Sequence, residues 1–145
     1  MAFVLDASVV LAWLLPDERS TVAQRLLLRS AQERPRAPSL LLVEVANALL
    51  QAERRTRLGR GIRLELLDAF TALPIALEPL ASEAMLRAGE LAAHHGLTVY
   101  DACYLELAMA RNCALATFDE RLGRAAKAER VALMEAGRDR EAGRN

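Results

Sequence analysis

Apolar residues along this chain fall into short unbroken blocks and longer stretches in which they recur at every third or fourth position. Phe3-Val4-Leu5 is the first block, aromatic and β-branched, and reads as a strand buried on both faces. Asp6 ends it, and Val9 to Leu15 is apolar again until Pro16 stops a short helix and turns the chain. A cap at Ser20 or Thr21 opens a second helix to about Glu33, with Val22, Leu26 and Leu27 on one face. The prolines in Arg34-Pro35-Arg36-Ala37-Pro38 force a brief extended piece.

Ser39 is placed to cap a long helix from Leu40 to about Arg57, apolar almost all round, in which Glu44 and Asn47 are the early exceptions. Gly59 and Gly61 break it, and Ile62 to Leu73 forms another helix before Pro74. Ile75 to Glu78 is a third strand, Ser82 to His95 a helix with Gly96 as its left-handed cap, and Thr98 caps a helix to about Asn112. Ala114 to Thr117 is a fourth strand, Asp119 opens a short helix to about Ala128, and Val131 to Met134 is a fifth strand. Strands alternating with helices predict an α/β fold, a single-domain three-layer α/β/α sandwich around a parallel five-stranded sheet. That domain is expected over 1–134. The tail 135–145 repeats Glu-Ala-Gly-Arg and is expected to be a charged, disordered extension.

Composition changes this picture little. A chain of 145 residues buries roughly 70% of the surface its unfolded form exposes, and 53% hydrophobic against 4% aromatic residues makes the core aliphatic. Formal net charge is zero, so global electrostatics steer neither nucleic acid nor membrane. Every basic residue but Lys127 is arginine, which suits phosphate recognition or reflects codon usage. Cys103 and Cys113, placed on one helix, would stand about 15 Å apart, too far for a disulfide, as expected of thiols in a reducing compartment. The N-terminus lacks the pattern of a signal peptide and no apolar run approaches the roughly 18 residues of a membrane span, so the expected location is the cytoplasm. Trp13, the methionines and Cys103 read as core, Glu90 and Glu106 as solvated helix acids, and His94 and His95 as the surface end of a helix.

The chemistry lies in four acids. Singly, each has a structural reading: Asp6 and Asp119 at helix starts, Asp101 three residues after Thr98 at capping-box spacing. Glu44 is harder to account for, because an unpaired carboxylate within Leu40 to Leu50 would cost several kcal/mol. Asn47 shares its face and supplies one amide, so a cation or an arginine is needed. In a parallel sheet the end of the first strand, the end of the fourth and the first turns of the two helices fall on one edge. Two unit charges about 5 Å apart repel by roughly 3 kcal/mol at an effective dielectric of 20. Four that converged would therefore exceed the roughly 5 to 15 kcal/mol that stabilises a domain. Protons or a hard cation must neutralise them, and Mg²⁺ or Mn²⁺ with oxygen ligands points to a phosphate ester substrate.

Asp6-Ala7-Ser8, Glu44-x-x-Asn47, Leu97-Thr98-x-Tyr100-Asp101-Ala102 and Ala116-Thr117-Phe118-Asp119 resemble, in order and spacing, the acidic motifs of PIN-domain ribonucleases, nearest the toxin subunits of VapBC-type toxin–antitoxin pairs. The resemblance spans residues 2 to 134 and implies a PIN-like fold. It implies that Asp6, Glu44, Asp101 and Asp119 are the catalytic acids and ligate Mg²⁺ (or Mn²⁺), and that Ser8, Asn47 and Thr117 orient them. It further implies a metal-dependent endoribonuclease, a hydrolase whose activated water cuts RNA and leaves a 5′ phosphate. Its implied partners are RNA, a small VapB-type antitoxin and a second copy of the chain as a homodimer, with no membrane.

Arg54, Arg55, Arg57, Arg60 and Arg63 cluster where two helices meet and are candidate RNA-phosphate contacts. The alternative is a solvated complement to a helix C-terminus. Two rival functions fit less well. A phosphohydrolase or receiver domain needs an acid where Ser8 stands, or a lysine at a strand end, whereas Lys127 lies in a helix. A catalytically silent PIN-like scaffold that binds RNA or protein would gain nothing from four repelling charges.

Overall fold

The computed structural model describes residues 2–134; the predicted tail, 135–145, lies outside them. The elements follow the chain order β1 (Phe3–Leu5), α1 (Ala7–Leu14), a single 3₁₀ turn at Pro16–Glu18, α2 (Thr21–Glu33), β2 (Arg36–Pro38), α3 (Leu41–Arg54) and α4 (Arg60–Thr71). They continue with β3 (Ala76–Glu78), α5 (Ser82–His95), α6 (Val99–Arg111), β4 (Ala114–Ala116) and α7 (Glu120–Ala128).

Among the described residues the strands form one four-stranded sheet in the order β3-β2-β1-β4. All its pairings are parallel, with Phe3, Val4 and Leu5 opposite Ala114, Leu115 and Ala116. β1 is central and its three residues are at most 1% exposed, as a strand covered on both faces requires. The fifth strand expected at Val131 to Met134 shrinks to a single parallel bridge, Leu115 with Leu133. The chain leaves α7 through a left-handed turn at Arg130, φ 59°, and only the Leu115 N–H to Ala132 and Met134 N–H to Leu115 bonds form, at 2.9 and 2.8 Å.

The strand order explains the layers. From β1 to β2 to β3 the chain steps one way across the sheet through α1 to α4, and from β3 to β4 it returns through α5 and α6. Right-handed crossovers therefore place the two helical groups on opposite faces. α6 packs across β1, β2 and β4 with α5 behind it, while α1 to α4 pack on one another. The reversal falls between β1 and β4, so a crevice opens at the carboxyl ends of these two strands, where open α/β sheets bind ligands.

Local details depart from the sequence reading in instructive ways. Ser39 does not cap α3; its N–H pairs with the Glu78 carbonyl at 2.8 Å, which leaves Leu40 as an N-cap without a side-chain bond. α3 stops at Arg54, because Thr56 turns left-handed at φ 57°, and α4 starts at Arg60, before the expected Ile62, capped by Gly59. α3 is not buried all round: Leu42 and Val43 are 43% and 68% exposed. Cys113 lies beyond the end of α6, after the left-handed Asn112, and both cysteines are free. Glu106 is not solvated; it is 5% exposed and bridged to Arg87 at 3.0 Å. Trp13 is core, its indole N–H donating to the Ala23 carbonyl at 2.7 Å. None of the helices is long and apolar enough to cross a membrane among the described residues.

Candidate active site

Because β1 and β4 run in register, Asp6 and Thr117 stand side by side one residue beyond the paired strands, and the Asp6 N–H reaches the Ala116 carbonyl at 3.3 Å. Asp6 is 4% exposed. One of its carboxylate oxygens, Oδ1, accepts from the Ser8 hydroxyl at 2.5 Å and the Val9 N–H at 3.3 Å, and Oδ2 accepts from the Thr117 hydroxyl at 2.5 Å. Asp6 is thus both the N-cap of α1 and the centre of a hydroxyl clamp. The clamp ties β1 to the β4–α7 turn: Ser8 Oγ accepts the Phe118 N–H at 2.9 Å, and Thr117 Oγ1 accepts the Asp119 N–H at 3.0 Å.

Asp119 is the exposed N-cap of α7, with Oδ1 accepting from the Leu122 N–H at 2.9 Å. Asp101 sits in the first turn of α6, where its N–H donates to Thr98 Oγ1 at 3.1 Å. Glu44 lies half-buried in the first turn of α3, and its partner is one the sequence reading does not name: the Tyr104 hydroxyl donates to Oε1 at 2.8 Å. Tyr104 is fully buried. Its one legible signal is position, one turn after Asp101 on the same face of α6. Asn47 is exposed and makes no side-chain hydrogen bond to Glu44 among the described residues.

Three of the acids, Asp6, Glu44 and Asp101, are each raised in part by a neighbouring carboxylate. Burial pushes the Asp6 carboxyl up from 3.8 to about 6 against the hydroxyl bonds that hold it down, and the charge of Asp101 adds to the rise. Burial also raises Glu44, opposed by the Tyr104 bond and reinforced by Asp101 and Asp6. Asp101 is raised chiefly by burial, with Asp119 pushing up and the Thr98 bond and Arg121 pulling down. Burial and the neighbouring carboxylates together push the Tyr104 phenol far up, so it remains a donor.

Does this set fit a metal ion? Carboxylate oxygens are its only charged donors, and among the described residues no arginine or lysine forms an ion pair with any of the four. The cluster is therefore short of positive charge, and its chemistry suits a hard divalent cation. Nor are any three His, Cys, Asp or Glu side chains gathered closely enough, among the described residues, to hold one ion between them. An ion such as Mg²⁺, which keeps several waters and takes one or two carboxylates, fits this open spacing where a closed all-protein cage does not.

The arginines predicted to contact RNA stand elsewhere. Arg54 lies ten residues beyond Glu44 on α3, about 15 Å along the helix axis. Arg57 is paired with Asp17 at 2.6 Å and Glu18 at 3.6 Å, and Arg63 with Glu53 at 3.3 Å. Arg54, Arg55 and Arg60 are exposed.

Removing the phenol isolates its contribution. Tyr104→Phe is expected to weaken Mg²⁺ or Mn²⁺ binding by about 10- to 100-fold, the usual effect of losing a group that orients a ligand, while changing stability by only about 1 kcal/mol. Metal titration followed by Trp13 fluorescence checks this, and an unchanged affinity would show that Glu44 needs no phenol.

Comparison with known proteins follows the same outline. The PIN domain model matches residues 3–128. VapC ribonuclease Mb0985 from Mycobacterium bovis is 36% identical over 126 residues, covering 87% of this chain and 92% of the relative. The crystal structure of PAE2754 from Pyrobaculum aerophilum superposes with a TM-score of 0.69 at 22% identity, over 86% of this chain and 79% of that one. VapBC2 from Rickettsia felis, solved bound to a DNA fragment from the pair's promoter, superposes at 0.65 and 16% identity, over 92% and 98%.

Proposed function

We infer the activity from one premise: this chain belongs to the PIN domain family. It is an endoribonuclease, a hydrolase of RNA phosphodiester bonds, and acts as the toxin of a VapBC-type toxin–antitoxin pair. The observation that carries the chemistry is the clamped, proton-attracting Asp6 at the reversal of strand order, within reach of the charges of Glu44 and Asp101. The relative of Mycobacterium bovis supports RNA as the substrate by its name, and the Rickettsia felis pair supports a small antitoxin as the partner. A homodimer is the assembly expected of the family.

The reaction depends on Mg²⁺ or Mn²⁺, for which Asp6, Glu44, Asp101 and Asp119 are the candidate ligands, directly or through water. Bound there, the ion supplies charge neutralisation and an acidified water for attack on the phosphorus. The chain's own residues prepare the place. Ser8 and Thr117 fix the Asp6 carboxylate by donating to both of its oxygens. Tyr104, fully buried on α6, fixes Glu44 by donating to its Oε1. Arg54, Arg55 and Arg60, which are exposed, add phosphate affinity at a distance.

Total RNA incubated with the full chain tests the reading. Cleavage is expected with Mn²⁺ or Mg²⁺, with 5′-phosphate ends, and is expected to stop with EDTA or with Asp101→Asn. Cleavage that survives EDTA would overturn the metal mechanism, and RNA bound but left intact in both metals would make the chain a silent scaffold.

A further inference from the structure

Beside the acids lies a second feature that the four-acid motif does not include. A cleft of about 410 Å³ opens on the β4–α7 side, lined among others by Thr117, Phe118, Asp119, Glu120, Arg124 and Lys127. Two of its walls are the clamp and an acid of the site itself. On α7, Glu120, Arg124 and Lys127 lie at helical spacing along one stripe, so both cations face the same opening. Among the described residues Arg124 is held only by a loose 4.0 Å pair to Glu120, with side chains 70% and 93% exposed. Lys127, the chain's single lysine, is exposed.

The third wall is aromatic. Phe118 is 41% exposed, an unusual position for one of only three phenylalanines in the chain. Its backbone N–H is bonded to Ser8 Oγ, the same hydroxyl that supports Asp6. The ring is therefore carried on a peptide tied to the catalytic carboxylate, at a fixed offset from it. An exposed ring beside two cations that are unpaired or loosely paired among the described residues is the combination that holds a nucleotide: a face for the base and charges for its phosphate.

We propose that this cleft is a nucleotide subsite, in which the base next to the scissile bond stacks on Phe118 and its phosphate is held by Arg124 and Lys127. The proposal rests on the ribonuclease reading and adds to it where the RNA strand runs beside the scissile bond: along α7, past Asp119. Stacking is indifferent to base identity, so Phe118 contributes affinity and placement, and the two cations contribute the salt dependence.

The test uses the full chain carrying Asp6→Asn, so that RNA is bound without being cut, and a short fluorescent single-stranded RNA. Phe118→Ala on this background is expected to weaken binding by about tenfold with the salt slope unchanged. Phe118→Trp is expected to restore it. Arg124→Gln with Lys127→Gln is expected to reduce the salt slope by about 0.7, for the one phosphate no longer neutralised. RNA is also expected to protect Lys127 from amine acylation. A cooperative thermal melt for each variant separates weakened binding from failed folding. Binding and slope that stay unchanged in folded variants would overturn the subsite alone, whereas a wild-type chain that neither binds nor cuts RNA would overturn the ribonuclease reading with it.

Discussion

Asp6→Asn is expected to reduce RNA cleavage by at least about a thousandfold, and in the same protein to raise the melting temperature of the metal-free chain at neutral pH. The loss follows from chemistry: an amide carries no charge to hold a cation, and removing one preorganised electrostatic group from a reacting centre costs about 10²- to 10³-fold even when ligation is not at stake. The gain follows from burial. Asp6 is 4% exposed and its carboxyl is raised to about 6, so the charged form destabilises the fold at pH 7. Asparagine keeps the shape and removes the charge. Its carbonyl still accepts from Ser8 and Val9, and its amide can donate to Thr117 Oγ1. A rate assay paired with a thermal melt reads both effects. A variant that loses stability along with activity would show that the carboxylate is structural and that the site reading is wrong.

The second large effect is the dependence of stability on pH. Asp6 ordinarily titrates at 3.8 and in the fold at about 6, so the folded chain holds its proton more tightly than the unfolded one. Stability is therefore full below about pH 4, falls as pH rises to about 6, and above that stays lower by roughly 3 kcal/mol for this group alone. Glu44 and Asp101 are raised as well and act in the same direction. A divalent ion reverses the trend, because it binds the ionised carboxylates and stabilises only the folded chain. Urea melts from pH 4.5 to 7.5, compared between the parent and Asp6→Asn, isolate this contribution from other titrations. The difference between the two proteins is expected to grow up to about pH 6, to level off above it, and to shrink when Mg²⁺ is added at pH 7.5. A difference that is flat with pH would exclude a buried, ionising Asp6.

These two effects share one cause, and that cause is partly legible in the residues. The block Phe3-Val4-Leu5 followed by an acid, the prolines that bound the strands, and Gly96 after His95 are local signals, and β1, α1, α5 and α7 stand where such signals place them. Local interactions, caps and periodicities over a few residues, suffice to specify them. Extent is less legible: α3 ends three residues early because Thr56 turns left-handed, and the fifth strand is a single bridge because pairing depends on a neighbour far along the chain. Glu106 shows the same limit, a helix acid that becomes buried only when α5 brings Arg87 to it.

For the site, the sequence by itself determined which acids are present and, through the order of strands and helices, that they gather at one edge of a parallel sheet. Only the tertiary structure decided what each acid touches. The Ser8 and Thr117 hydroxyls reach opposite oxygens of Asp6 because register aligns β1 with β4, 111 residues apart for Thr117. The Glu44 partner is the phenol of Tyr104, 60 residues away, and not the nearby Asn47. The arginines that adjoin Glu44 in sequence sit at the other end of its helix, while Phe118, Arg124 and Lys127 share a cleft with Asp119. Partners of this kind follow from packing across the sheet, a property of non-local contacts that no window of sequence contains.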